Sequence, residues 1–368
     1  RQRVVLGIRR GRRGGHLEAF TALSETPEEY EFLETYLAGG EVPPGAVERF
    51  LDRNRTALDL ARRAADYPGC RHPLEWDRGL GIHLRHLAGT KALGCALRVQ
   101  ALVLARAGRE AEALEAARSL FACGESLGDE PTLISQLVRL ALHGIGCDLV
   151  RRLVAEGRWP AGVAKPWIER LEACQKHEPM RRAWIVERAL VIDYVLVRQF
   201  DDEAMESAMP STSRGHAFLS YLARRDLAGF VRMMTRLIAL ADRPHWEVRR
   251  EIEALEGEAK SLPAWRIVTG MLLPAIGAVH ETQANHLTLL ELGRTAIALG
   301  AHRNRTGAWP EDLVELVGPW LERAPVDHLT GGPLAYRVEG GDAHLSIDRV
   351  DSMPEADRPV YEWLVPAR

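Results

Sequence analysis

Three histidines, His72, His83 and His86, are the residues of this chain whose type and spacing come nearest to chemistry. His83 and His86 are three positions apart, a separation at which two imidazoles can face one ligand, and His72 enters from upstream in the same stretch. Imidazole nitrogens so placed can chelate an ion or hydrogen-bond a polar ligand. A metal site needs further donors, and no Cys or carboxylate stands at a suitable spacing, so no metal is assigned from the sequence. His72, His83 and His86, with Trp76 between them, are therefore taken as candidate binding residues.

A second candidate is acidic. Asp201-Asp202-Glu203, followed by Glu206, resembles the aspartate-rich magnesium motif of prenyl-transferring enzymes. No second acidic motif stands on a facing helix, and a solvated helix end explains the same residues, but Asp201 and Asp202 are kept as candidate binding residues. His280-Glu281 with His286 invites comparison with zinc-binding HExxH helices. Its histidines are six positions apart, roughly 240° around a helix, so one face cannot offer both to one ion. No GxSxG, Walker A or GxGxxG stands at a strand-to-helix junction, and no cofactor is implied.

Composition narrows the classes. The 368 residues are 46% hydrophobic and 27% charged with a net charge of −3, ordinary for a globular chain and no reason to expect nucleic acid. Six arginines, Arg1, Arg3, Arg9, Arg10, Arg12 and Arg13, crowd the first fifteen residues without an acid. Residues 1–25 read as a basic tail, either solvated or set against an anionic membrane surface. Five scattered cysteines form no CxxC pair and read as buried thiols. No run of about 20 apolar residues marks a membrane span.

The elements that must position these residues are mostly helices. The strongest periodicity lies between Leu84 and Leu153. It predicts helices over about Leu87 to Ala107 and Arg109 to Leu127, joined at Gly108, then a third helix through Leu133, Leu137, Leu140, Ile145, Leu149 and Leu153. Asp129 and Pro131 read as the cap and first turn of the third. The hairpin from Ala101 to Leu120 looks like one tetratricopeptide unit, without a second copy along the chain. Further helices are expected over Thr26 to Leu37, Gly45 to Asp66, Pro166 to Lys176, Met180 to Phe200, His216 to Arg224, Asp226 to Ala241, His245 to Ser261 and Pro274 to His302. Between Tyr67 and Arg85, prolines and glycines predict a long ordered loop anchored by Leu74, Trp76, Leu80 and Ile82, a place to look for binding. Residues 304–368 change period: Leu334, Tyr336 and Val338 alternate, Gly340-Gly341 turns, and Ala343, Leu345 and Ile347 alternate back, a β-hairpin that needs helices or a third strand to be stable. The expected fold is mainly α: a body of antiparallel helical hairpins over residues 26–303, with a short helix and a small carboxy-terminal β-hairpin as cap.

The carboxy-terminal order Ala296, Arg305, Gly307, Trp309, Pro310, Leu313, Leu316, Pro325, Val326, Asp327, Thr330, Gly331, Pro333, Leu334, Tyr336 resembles the same part of the pseudopilins of type II secretion. From Phe50 to Ile347 the chain resembles a family of bacterial envelope-associated helical proteins, most densely at Gly128-Asp129-Glu130-Pro131-Thr132-Leu133-Ile134. That resemblance implies an amino-terminal membrane anchor upstream of Arg1 and no established activity. His328 stands where the pseudopilin pattern has Pro, and Asp348-Arg349-Val350-Asp351-Ser352 replaces the acidic, glycine-rich tail, so calcium is not implied.

Two functional classes follow. One is a non-enzymatic scaffold of the cell envelope with a protein partner, linked to a secretion or pilus-like assembly. The other is an enzyme with a site between helices, built from the 67–85 loop and the acidic 201–206 segment.

Overall fold

Helical segments punctuated by Gly and Pro should fold back on one another, and the computed structural model of the protein is mainly helical with a small carboxy-terminal sheet. It describes residues 33, 35–37, 40–67, 69–157, 159–160, 162–175, 178–198, 213–263, 266, 269, 274–354 and 358–367. The basic tail, most of the helix expected from Thr26, and Asp201 and Asp202 lie outside the described residues.

Where one helix is expected from Gly45 to Asp66 there are two, α1 (Ala46–Arg53) and α2 (Arg55–Ala64). Asn54 makes the break: its buried side chain donates Nδ2–H back to the Phe50 carbonyl at 3.1 Å, a local bond that competes with the helix. After the loop come α3 (His86–Arg106) and α4 (Glu110–Glu125), an antiparallel hairpin. Gly108, at φ 72°, closes α3: its N–H bonds to Ala105 O and that of Arg109 to Leu104 O, the paired bonds of a left-handed glycine stop. Helix α5 (Leu133–Ala155) packs on both. Its cap is Thr132, whose hydroxyl accepts from Ser135 N, and not Asp129 as the sequence led us to expect. Glycine lets the three approach: a Cβ on Gly94 would lie 2.4 Å from Leu142 Cδ2, and one on Gly124 2.5 Å from His143 Cδ2.

The chain continues through α6 (Ala164–Ala173), α7 (Glu178–Asp193) with a π-helical turn at Tyr194–Arg198, α8 (Ser213–Leu240), α9 (His245–Lys260) and α10 (Pro274–Thr306). Helix α8 is one helix where two were expected to meet at Asp226, because Asp226 turns its carboxylate into the interior, to the Thr269 hydroxyl. Two apolar cores result. The larger joins α1 to α6, the carboxy-terminal half of α10 and the sheet; the smaller joins α7, α8, α9, the start of α10 and Leu140 of α5. By length and mean hydropathy, 1.3 and 1.4, α3 and α5 are each long and apolar enough to cross a membrane, where no such run was expected, and about half of each such stretch is buried in the protein. Helix α3 packs inside the larger core, and α5 contributes to both.

At the carboxy terminus β1 (Leu334–Glu339) pairs antiparallel with β2 (Asp342–Ile347), and β3 (Trp363–Val365) adds the third strand the hairpin needs. Leu334, Ala343, Leu345 and Ile347 are buried, as their alternation requires. Val338 is not: it is 48% exposed. Asp327 holds the entry to the sheet, its carboxylate accepting from Leu329 N at 3.0 Å and from Thr288, Thr330 and Arg349.

Candidate metal centre

Hairpin geometry decides which residues meet. Helix α3 leaves from His86, α4 returns beside it, and the 126–132 connection to α5 must therefore pass the start of α3. That connection delivers Glu130. The 67–85 loop lies over the same spot and delivers His72, so residues from three stretches of chain meet in one place.

His72, His86 and Glu130 are all buried, and one donor atom from each lies within 4.8 Å of the others. Glu130 Oε1 is 2.8 Å from His86 Nε2 and 3.8 Å from His72 Nε2. Donors around a tetrahedral zinc stand about 3.3 Å apart, so these separations straddle the span one ion would bridge. The imidazoles are stacked, centroids 4.3 Å apart, so both present an edge to the carboxylate. A supporting chain aims Glu130: Thr132 donates to Ser135 Oγ at 2.7 Å, and Ser135 donates to Glu130 Oε2 at 2.6 Å. Gln136 Nε2 pins the Glu130 backbone carbonyl at 2.6 Å. Oε1 faces the imidazoles, buried and accepting no aligned hydrogen bond among the described residues, while His86 Nε2 also lies 3.0 Å from Oε2.

Electrostatics suits a cation. Burial, then the neighbouring His86, push His72 down to about 4, so its imidazole is neutral near pH 7 and offers a lone pair. Cys70 Sγ lies 3.6 Å from His72 Nε2 but outside the three-donor group. Burial, with Glu130 nearby, raises its thiol to about 11, so it is a protonated neighbour. A cavity of about 740 Å³ opens beside the group; His72, Glu130 and Cys70 line it, and Tyr67, Trp76 and Pro131 form part of its wall.

Among the described residues a second grouping, Glu125, His143 and Cys174, also has donors within 4.8 Å. There the cation is already present as protein. Arg139 donates to Glu125 Oε1 through Nε at 3.0 Å and Nη2 at 2.7 Å. Burial pushes Glu125 up, but His143 and Arg139 outweigh it and hold the carboxyl at about 2.

The candidates named from sequence thus divide. His72 and His86 belong to the centre. His83 does not: it is exposed, 4.0 Å from Glu75, because it lies ahead of the helix that His86 begins, so the two do not share a helical face. Trp76 is at the rim, 40% exposed, and with Leu80, also 40% exposed, is not the apolar anchor expected. His280 and His286 face different neighbours, His245 at 3.0 Å and His143 at 3.4 Å. Glu130 was missed because it sits between Asp129 and Pro131, read only as helix-start signals. The signal was the hairpin itself, which returns the chain to His86.

No protein-family model matches this chain, and none of the curated proteins or solved structures compared with it is significantly similar.

Proposed function

We propose that the protein binds one divalent transition ion, zinc in the first place, through His72 Nε2, His86 Nε2 and Glu130 Oε1, and uses it on a small polar ligand in the adjoining cavity. The observation that carries this reading is Glu130 Oε1, a buried carboxylate oxygen without an aligned hydrogen bond and with two imidazole nitrogens about it. Two histidines and one carboxylate, with a position left open, are the donor set of catalytic rather than structural zinc. An ion so held acts as a Lewis acid on a bound oxygen or lowers the pKa of a bound water toward 7, the chemistry of metal-assisted hydrolysis. This favours the enzyme class and assigns it to the 67–85 loop.

The test is a competition titration of the protein against a chromophoric zinc chelator. One site per chain is expected, weakened at least a hundredfold in His86→Ala and in Glu130→Gln. Titrations that coincide for wild type and both variants would rule the centre out.

A second reading is favoured by a different observation. Tyr67, Trp76, Leu80 and Ile134 are large apolar residues left exposed, three of them on the loop. Aromatic side chains so displayed suit a protein partner, and this supports a scaffold role in the cell envelope, with the α3–α4 hairpin as a tetratricopeptide-like unit, the cap as a pseudopilin-like end, and the basic tail against an anionic membrane. Cross-linking in envelope fractions distinguishes the two: Trp76→Ala should abolish a cross-linked complex on this reading and leave it intact on the first.

A further inference from the structure

The end of α10, the turn after α5 and the start of α6 enclose a separate cavity of about 340 Å³. Its polar lining includes Trp159, Lys165, Arg303, Asn304, Arg305 and Trp320, and no Asp or Glu among the described residues. Its apolar wall includes Val154, Ile297 and Val365. We propose that this cavity binds an amphipathic anion, an apolar body carrying an oxyanion head.

Three observations point the same way. Trp159 Nε1 and Trp320 Nε1 are buried and donate to no acceptor among the described residues. An indole N–H can only donate, so a ligand that reaches either one must bring an acceptor atom. The cations are not all explained by their own helices. Arg303 and Arg305 lie in the last turn of α10, where positive charge complements the helix dipole, and each guanidinium rests on an indole, Trp309 at 4.5 Å and Trp320 at 5.3 Å. Lys165 lies in the first turn of α6, where a cation is unfavourable for its own helix. Finally, α6 has no side-chain cap, and Ala164 and Lys165, whose backbone N–H groups have no partner within the helix, line the cavity. Donors and cations above an apolar wall match a carboxylate or phosphate monoester on an alkyl body. The volume, at the small end for ligand pockets, sets a short chain.

Binding is measured by isothermal titration and by tryptophan fluorescence, with octanoate, octyl phosphate, 1-octanol and acetate as probes. Octanoate or octyl phosphate should bind saturably, one per chain, at least tenfold tighter than octanol or acetate. Which of the two anions binds tighter identifies the head group. In the Lys165→Ala, Arg305→Ala double variant the anion should bind at least tenfold more weakly, with an unchanged melting temperature because both side chains are exposed. Trp320→Phe, which keeps the packing and removes the N–H, should weaken the anion and leave octanol unchanged. Octanol binding as tightly as octanoate, acetate matching it, no saturable binding by either anion, or full anion affinity in the double variant would each overturn the proposal.

Discussion

At the scale of single residues, the centre depends on how Glu130 is held as much as on which residues donate. Ser135 donates to Oε2, the oxygen that His86 Nε2 also approaches at 3.0 Å. Groups that orient a metal ligand typically contribute 10- to 100-fold in affinity, so Ser135→Ala should weaken zinc by about that factor while leaving all three donors in place. A chelator titration of that variant checks it, and a loss matching His86→Ala would instead mean the site had collapsed. A second prediction concerns the histidine pair behind the centre. Burial drives His143 down, and burial followed by His143 itself drives His286 well down, so both are neutral in the folded protein near neutral pH. Their folded pKa values lie below the unfolded value of about 6.5. Below that pH the unfolded chain takes up protons the native protein refuses, and stability falls by up to about 1.4 kcal/mol per pH unit for each. The melting temperature should therefore drop between pH 7.5 and 5.5, and His286→Gln should flatten that slope. Equal slopes would mean these imidazoles are not held neutral.

At the scale of elements, the hairpins and the cap were legible because period and punctuation agreed. Gly108 stops α3 where a left-handed residue is needed, and the alternation from Leu334 to Ile347 forms the paired strands. What was not legible was decided by single side chains acting across the chain. Asn54 breaks a helix whose apolar spacing runs on through it, and Thr132 takes the cap from Asp129 because its hydroxyl reaches Ser135 N. Val338 shares the period of Leu334 but is left exposed, and period says nothing of how far a facing surface reaches. The cap makes a direct prediction. Leu345 is buried against the body and Arg337 is exposed on β1, so Leu345→Ala should cost about 2–5 kcal/mol and Arg337→Ala little. Thermal melts decide it, and a parental melt for Leu345→Ala would mean the sheet is not packed on α10. Asp327→Ala belongs beside them. It leaves the Leu329 N–H without its acceptor and Arg349 without its carboxylate, and should cost about 1–3 kcal/mol or more despite removing no apolar area.

At the scale of the whole molecule, α10 ties the parts together through polar contacts inside the protein. Glu291 and Arg294, both fully buried, meet Gln175 and Glu172 at the end of α6, while Arg323 and His328 reach Glu291 from the segment that leads into the sheet. Breaking such a buried network costs more than forming it gains, so it specifies how body and cap dock. The same logic explains the legibility of the centre. His72 and His86 could be seen as a pair of imidazoles, but their carboxylate came from 44 residues beyond His86, by way of a helical hairpin. A metal set spread over three elements has no spacing to read; only the fold assembles it. The most direct measurement is zinc K-edge absorption of the zinc-loaded protein. Two imidazole nitrogens with oxygen ligands at about 2.0–2.2 Å, and no sulfur at about 2.3 Å, are what the three-donor, open centre predicts. A sulfur in the first shell would make Cys70 a ligand and the site closed, and a spectrum of zinc bound only by water would contradict the centre altogether.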